Sequence, residues 1–197
     1  MRERPILFSP PMVRALLDGR KSQTRRTVKP IYDGDVVDII EWRPQNGAWF
    51  GLSGYNQVAH CTCPYGEPGD RLWVKESYAF DRAYDALSPS NTPRSTRIAY
   101  AADGPLPSWA GKPRPSIYMP RWACRIALEI TCVRVERLQD ISVGDCCAEG
   151  APIFDGDEEQ THAVQSWYQN LWQSINGVNS WAANPWVWVV EFVRIDS

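Results

Sequence analysis

Ser9-Pro10-Pro11-Met12-Val13-Arg14-Ala15-Leu16-Leu17-Asp18-Gly19-Arg20-Lys21-Ser22-Gln23-Thr24-Arg25-Arg26 decides the reading of this chain. Its first half predicts a short helix: Ser9 is a suitable N-cap, Pro10 fits the first turn, and Gly19 stands just past the end. A basic segment begins at the helix exit. Between residues 14 and 29, Arg14, Arg20, Lys21, Arg25, Arg26 and Lys29 face only Asp18, a density suited to phosphate or another anion. A solvated basic face without a ligand is the plain alternative for any such run.

The surrounding composition sets the limits. The chain has 197 residues, 44% hydrophobic and 22% charged, with a formal net charge of -2, as expected for one ordinary globular domain spanning residues 1 to 197. Ten Trp, eight Tyr and five Phe supply a core, whereas 16 Pro and 13 Gly predict long irregular connections. The N-terminal half carries 14 Lys and Arg against 11 Asp and Glu, and the C-terminal half 7 against 12. That asymmetry points to a local basic site and argues against nonspecific coating of DNA. No stretch approaches the ~20 apolar residues of a membrane span, and Met1-Arg2-Glu3-Arg4-Pro5 lacks the apolar region of a secretory signal, so a cytoplasmic protein with no membrane partner is expected. The six cysteines are accordingly read as free thiols. His60-Cys61-Thr62-Cys63 groups an imidazole with two thiols, but zinc needs a fourth ligand and no second Cys-x-x-Cys pair supplies one. It is read as a loop without metal.

Two further helices are predicted. Ser142-Val143-Gly144-Asp145 resembles a capping box and leads to a stop at Gly150, with Glu149 at the C-terminal end. From Thr161 to Ile175, Trp167, Tyr168, Leu171, Trp172 and Ile175 share one face at the 3.6 period, a pattern read as core. Strands are predicted at Arg71–Lys75, Arg97–Tyr100, Ala127–Val135 and Val187–Ile195, all rich in β-branched or aromatic residues. Helices are too few for regular β-α-β alternation. The expected fold class is α+β: a small, partly closed β-barrel of mainly antiparallel strands, with peripheral short helices and two loop insertions near residues 31–62 and 80–118.

Gly19-Arg20-Lys21-Ser22-Gln23-Thr24-Arg25-Arg26 matches the pattern Gly-x-Lys-x-x-Thr-x-Arg and, after its short helix, resembles the start of ASCH domains. Gly66-Glu67-Pro68-Gly69-Asp70-Arg71-Leu72-Trp73-Val74 resembles that family's Gly-Asp turn into a strand. Leu138 through Gly150 resembles its later short helix, and Asn184 through Phe192 its closing strand. The resemblance spans most of the chain, the two insertions excepted. The longer form, with Ile6-Leu7-Phe8 and Met119-Pro120-Arg121-Trp122-Ala123, is similar to members encoded by bacteriophages and prophages.

This resemblance implies a PUA-like barrel, related to domains that bind RNA. Characterised members include an amidohydrolase acting on N4-acetylcytidine and others reported as ribonucleases. In the amidohydrolase a lysine, a threonine and a glutamate form the active site, and these map onto Lys21, Thr24 and Glu149. The departures are Ser22 where Thr is common, the enlarged loops, and the Cys146-Cys147 pair before Glu149.

The chemistry expected of these residues is hydrolysis of an exocyclic N4-acyl amide. It requires a nucleophile, a proton acceptor, oxyanion stabilisation and a proton for the departing amine. Crowding by Arg20, Arg25 and Arg26 together with desolvation favours a neutral Lys21, able to activate either the Thr24 hydroxyl or a water. Glu149 is the acid/base. Arg26 faces the same cleft with Arg20 as a further substrate-binding candidate, while Arg20 and Arg25 are alternatively read as solvent-exposed. Trp73, Trp122 and Tyr118 are candidate stacking surfaces for a base, Trp73 foremost. The scheme uses no metal and no organic cofactor. Its partner is a modified pyrimidine nucleoside or single-stranded RNA. The competing readings are a noncatalytic phage protein binding RNA or a modified base, and a ribonuclease. A Lys21–Glu149 salt bridge that merely ties a helix to the barrel is the plain alternative for that pair.

Overall fold

The computed structural model describes residues 1–29, 36–43, 48–53, 58–61, 63–152 and 158–195, with the side chains of 36–61 and 158–161 outside the description. The strands are β1 (Glu3–Leu7), β2 (Gln23–Thr27), β3 (Val36–Arg43), β4 (Ala48–Ser53), β5 (Val58–Cys61), β6 (Arg71–Lys75), β7 (Tyr78–Phe80), β8 (Ile98–Tyr100), β9 (Ala127–Arg137) and β10 (Trp186–Ile195). The helices are α1 (Pro10–Leu17), α2 (Val143–Ala148) and α3 (Glu158–Asn176). The fold is α+β with a mostly antiparallel mixed sheet.

Five strands form the central sheet in the order β1-β6-β9-β10-β2, with only β1 and β6 parallel. Its core strand, β10, is buried on both faces, which explains its nearly continuous apolar sequence. Trp188, Val190 and Phe192 pack with Ile6, Phe8, Met12, Val13 and Leu16 on the α1 side. Val187 and Val189 pack with Leu138, Ile141, Cys146, Val164, Tyr168 and Trp172 on the side of α2 and α3. The alternation of a strand thus divides one sequence between two cores.

Among the described residues no ladder joins the outer strands β1 and β2, so the expected barrel is not closed by backbone pairing. A side chain spans the gap instead: Arg26 on β2 donates from Nη2 to the Leu7 carbonyl at 2.8 Å. The same guanidinium lies 5.6 Å from the centre of the Phe8 ring.

Helix α1 follows Ser9, which holds the N-cap position but makes no side-chain capping bond, and the chain leaves it through Asp18 to Gly19 at φ 72°. Helix α2 opens with the predicted capping box, in which Ser142 and Asp145 bond each other's backbone amides. The two insertions are richer than loops. The first carries the antiparallel meander β3-β4-β5, and the second opens at the end of β7 and contains β8, which pairs with it. The side chains of His60 and Cys61 lie outside the described residues; Cys63 is a buried free thiol. Among the described residues, no helix is long and apolar enough to cross a membrane.

Candidate functional site

The site begins where α1 ends. The amides of Arg20 and Lys21 both bond the Ala15 carbonyl, at 2.9 and 3.0 Å, turning the chain sharply off the helix. The Ser22 amide then bonds the Ala148 carbonyl at 2.8 Å, so this segment meets the end of α2 in a short antiparallel bridge, Lys21 opposite Glu149. Gly150 makes this approach possible. Its φ is +99°, and a Cβ there would lie 2.8 Å from Cβ of Ala15 and 3.3 Å from Cβ of Lys21.

Lys21 and Glu149 are each only 3% exposed. Lys21 Nζ donates to Glu149 Oε2 at 2.6 Å, to the Glu149 carbonyl at 2.9 Å and to the Gln23 carbonyl at 2.7 Å. Burial pushes the lysine pKa below its ordinary value, helped by Arg26 and Arg25, while the Glu149 charge opposes the shift. The expected direction is found, with desolvation outweighing the neighbouring arginines. Glu149 Oε1 is buried and has no hydrogen-bond partner among the described residues. One carboxylate oxygen is therefore pinned and the other left open, a costly arrangement unless something else occupies it.

Glu149 lines a small cavity, about 90 Å³, together with Thr24, Arg25, Arg26, Tyr65 and Tyr168. Thr24 is 1% exposed. Lys21 does not reach it: the three acceptors of Nζ lie elsewhere. This geometry leaves the lysine behind the carboxylate, acting on the cavity through Glu149. Thr24 activation by Lys21, one of the two expected mechanisms, is not prepared here.

The register of β2 turns alternate main-chain groups away from β10. The Val28 amide bonds the Trp186 carbonyl at 2.9 Å, and the Phe192 amide bonds the Ser22 carbonyl at 2.9 Å. With the antiparallel register between them, even-numbered residues of β2 bond β10, and the amide and carbonyl of Arg25 and Thr27 point to the free edge.

The other candidates fall into different places. Arg26 lines the cavity. Arg20 is held by the Gly150 carbonyl at 2.9 Å and by Asp18 at 2.9 Å, beside a second cavity on the α1 side of Glu149. Arg25 is not solvent-exposed but 2% exposed, paired with Glu136 at 3.0 Å and Asp145 at 3.3 Å. Its partners come from β9 and α2, more than a hundred residues away in sequence, and so carry no local signal. Trp73 lies apart from the cavity lining, on β6 between Lys75 and Arg121, whose charged groups sit 5.4 and 5.8 Å from its ring. Trp122 stacks on Phe80 at 5.3 Å in a separate core, and Tyr118 is exposed.

Sequence reasoning missed Tyr168 and Trp172, which line the cavity from α3. Their helical spacing marked them as core, and periodicity alone does not tell a core face from a cavity wall. Scans against protein-family models, curated proteins and solved structures find no match to this chain.

Proposed function

We propose that this chain is an ASCH-type, PUA-like protein that hydrolyses the N4-acyl amide of a modified pyrimidine nucleoside, with Glu149 as the acid/base. The observation that carries the reading is the divided Glu149 carboxylate, Oε2 fixed by Lys21 and Oε1 unpartnered beside a cavity that Thr24 also lines. In this scheme Oε1 accepts a proton from water as the water oxygen bonds to the acyl carbon. The tetrahedral intermediate then loses its C–N4 bond as Glu149 returns the proton to N4, releasing cytidine and the carboxylic acid. Lys21 holds Oε2 and stabilises the carboxylate form. The Thr24 hydroxyl and the free edge of β2 orient the substrate.

The test is incubation of purified protein with N4-acetylcytidine, followed by chromatography of cytidine. Wild type should release cytidine, and Glu149→Gln should lower kcat by about 10²- to 10⁴-fold, the usual range for loss of a positioned acid/base. Equal turnover by wild type and E149Q would end the assignment of Glu149. Binding of N4-acetylcytidine by wild type without any release would replace hydrolysis with the noncatalytic, modified-base-binding reading.

A further inference from the structure

Glu149 borders two cavities. The smaller, about 90 Å³, is the one it shares with Thr24, and the larger, about 360 Å³, lies between α1 and α3. Three residues, Met12, Glu149 and Leu171, line both, so the two spaces adjoin around the carboxylate. The larger has apolar and aromatic walls from Pro11, Met12, Trp167 and Leu171, to which Arg14, Asp18 and Arg20 add charged groups. Arg20 is fixed there by the Gly150 carbonyl and by Asp18, each at 2.9 Å. An apolar enclosure with a few placed polar groups is the usual make-up of a small-molecule site.

An N4-acyl amide has two unequal sides, the acyl group on one and a pyrimidine with its sugar on the other. A carboxylate acting at the bond between them needs room for each. Small-molecule sites enclose roughly 300–1,000 Å³, a range that the larger cavity reaches and the smaller does not. We infer that the nucleoside occupies the cavity between α1 and α3, with Trp167 as its stacking wall, and that the smaller cavity takes the acyl group. This rests on the proposed amide hydrolysis and adds to it a direction for the substrate and a limit on acyl size. Trp167 suits the part, because it is only partly buried, at the margin of the core that Tyr168 and Trp172 enter fully. Every base has a flat π-face that an indole can stack on.

Two measurements test the placement. Cytidine, the product, should bind wild type in a calorimetric titration, and Trp167→Ala should weaken that binding about 10-fold or more, as for loss of one stacking contact. Unaltered cytidine binding by W167A would overturn the nucleoside site and leave the Glu149 assignment standing. The second measurement needs no variant: kcat/KM of wild type should be about 10²-fold or more higher on N4-acetylcytidine than on N4-benzoylcytidine, whose acyl group carries a whole ring. Equal values on the two would overturn the acyl assignment. Wild type inactive on N4-acetylcytidine, with cytidine binding still weakened in W167A, would end the hydrolysis and keep the nucleoside site. Wild type that neither cleaves the amide nor binds cytidine would remove both.

Discussion

Lys21 and Glu149 illustrate how a buried ion pair acts as a unit. Both side chains are withdrawn from water and meet at 2.6 Å. Their mutual attraction offsets two desolvation penalties, so removal of one leaves the other uncompensated. Lys21→Met should cost about 3–5 kcal/mol in urea unfolding, whereas Lys21→Met with Glu149→Leu should recover much of that loss. Simple addition of the two single costs in the double variant would show that the pair is not coupled. The lysine also leaves a signature in pH. Its folded pKa is depressed by burial, so the unfolded chain binds that proton more tightly. Stability from this group therefore rises as pH rises toward the ordinary lysine value of 10.5, and the slope disappears in K21M.

The turn between α2 and the following loop is where local sequence has the tightest hold on the site. Gly150→Ala places a methyl against Ala15 and the stem of Lys21 at a positive φ that L residues rarely adopt. It should destabilise by about 2 kcal/mol or more and displace Glu149. A melting temperature equal to wild type would show that α1 and α2 can separate without harm. This junction was legible: Ser9, Pro10 and Gly19 frame α1, Ser142 and Asp145 frame α2, and Lys21 and Glu149 follow each helix end. Strands β1 and β2 were not. Pro5 interrupts the pattern of β1, which tolerates it beside a single neighbour, and Gln23-Thr24-Arg25-Arg26-Thr27 has no hydrophobic alternation. Its Arg25 is buried because Glu136 and Asp145 meet it, a fact of tertiary structure alone. Segment 31–62 hid its meander among turn-forming residues for the same lack of a long apolar pattern.

Buried groups that must stay neutral set the alkaline limit of the whole molecule. Burial raises the Cys146 thiol from 9.0 to about 12, and Tyr78 and Tyr100 each from 10.0 to about 12. A raised folded pKa means stability that is complete below the unfolded value and lost as pH climbs through the folded one. The cysteine contribution should therefore decline between pH 9 and 12, the tyrosine contributions between 10 and 12. Denaturant midpoints measured above pH 10.5, where the Lys21 contribution has levelled off, should fall in wild type and fall less steeply in Cys146→Ala. An identical slope in the variant would remove the thiol from this account. These groups belong to separate cores, Cys146 under α3 and Tyr78 beside Met119 and Ala123, so alkali loosens the two together.

Strand β10 lies between β9 and β2, yet it is made long after β2. On a ribosome, Gln23–Thr27 emerges early and waits while more than 150 further residues are synthesised before its neighbour Trp186–Ile195 exists. Until then β2 has no ladder to fix which of its residues face the cavity, and the two cores lack their shared wall. Closing so distant a pair is slow, because chain entropy is lost before any contact repays it. The candidate site is thus completed only once β10 has been made, and a nascent chain cannot present it before that strand emerges.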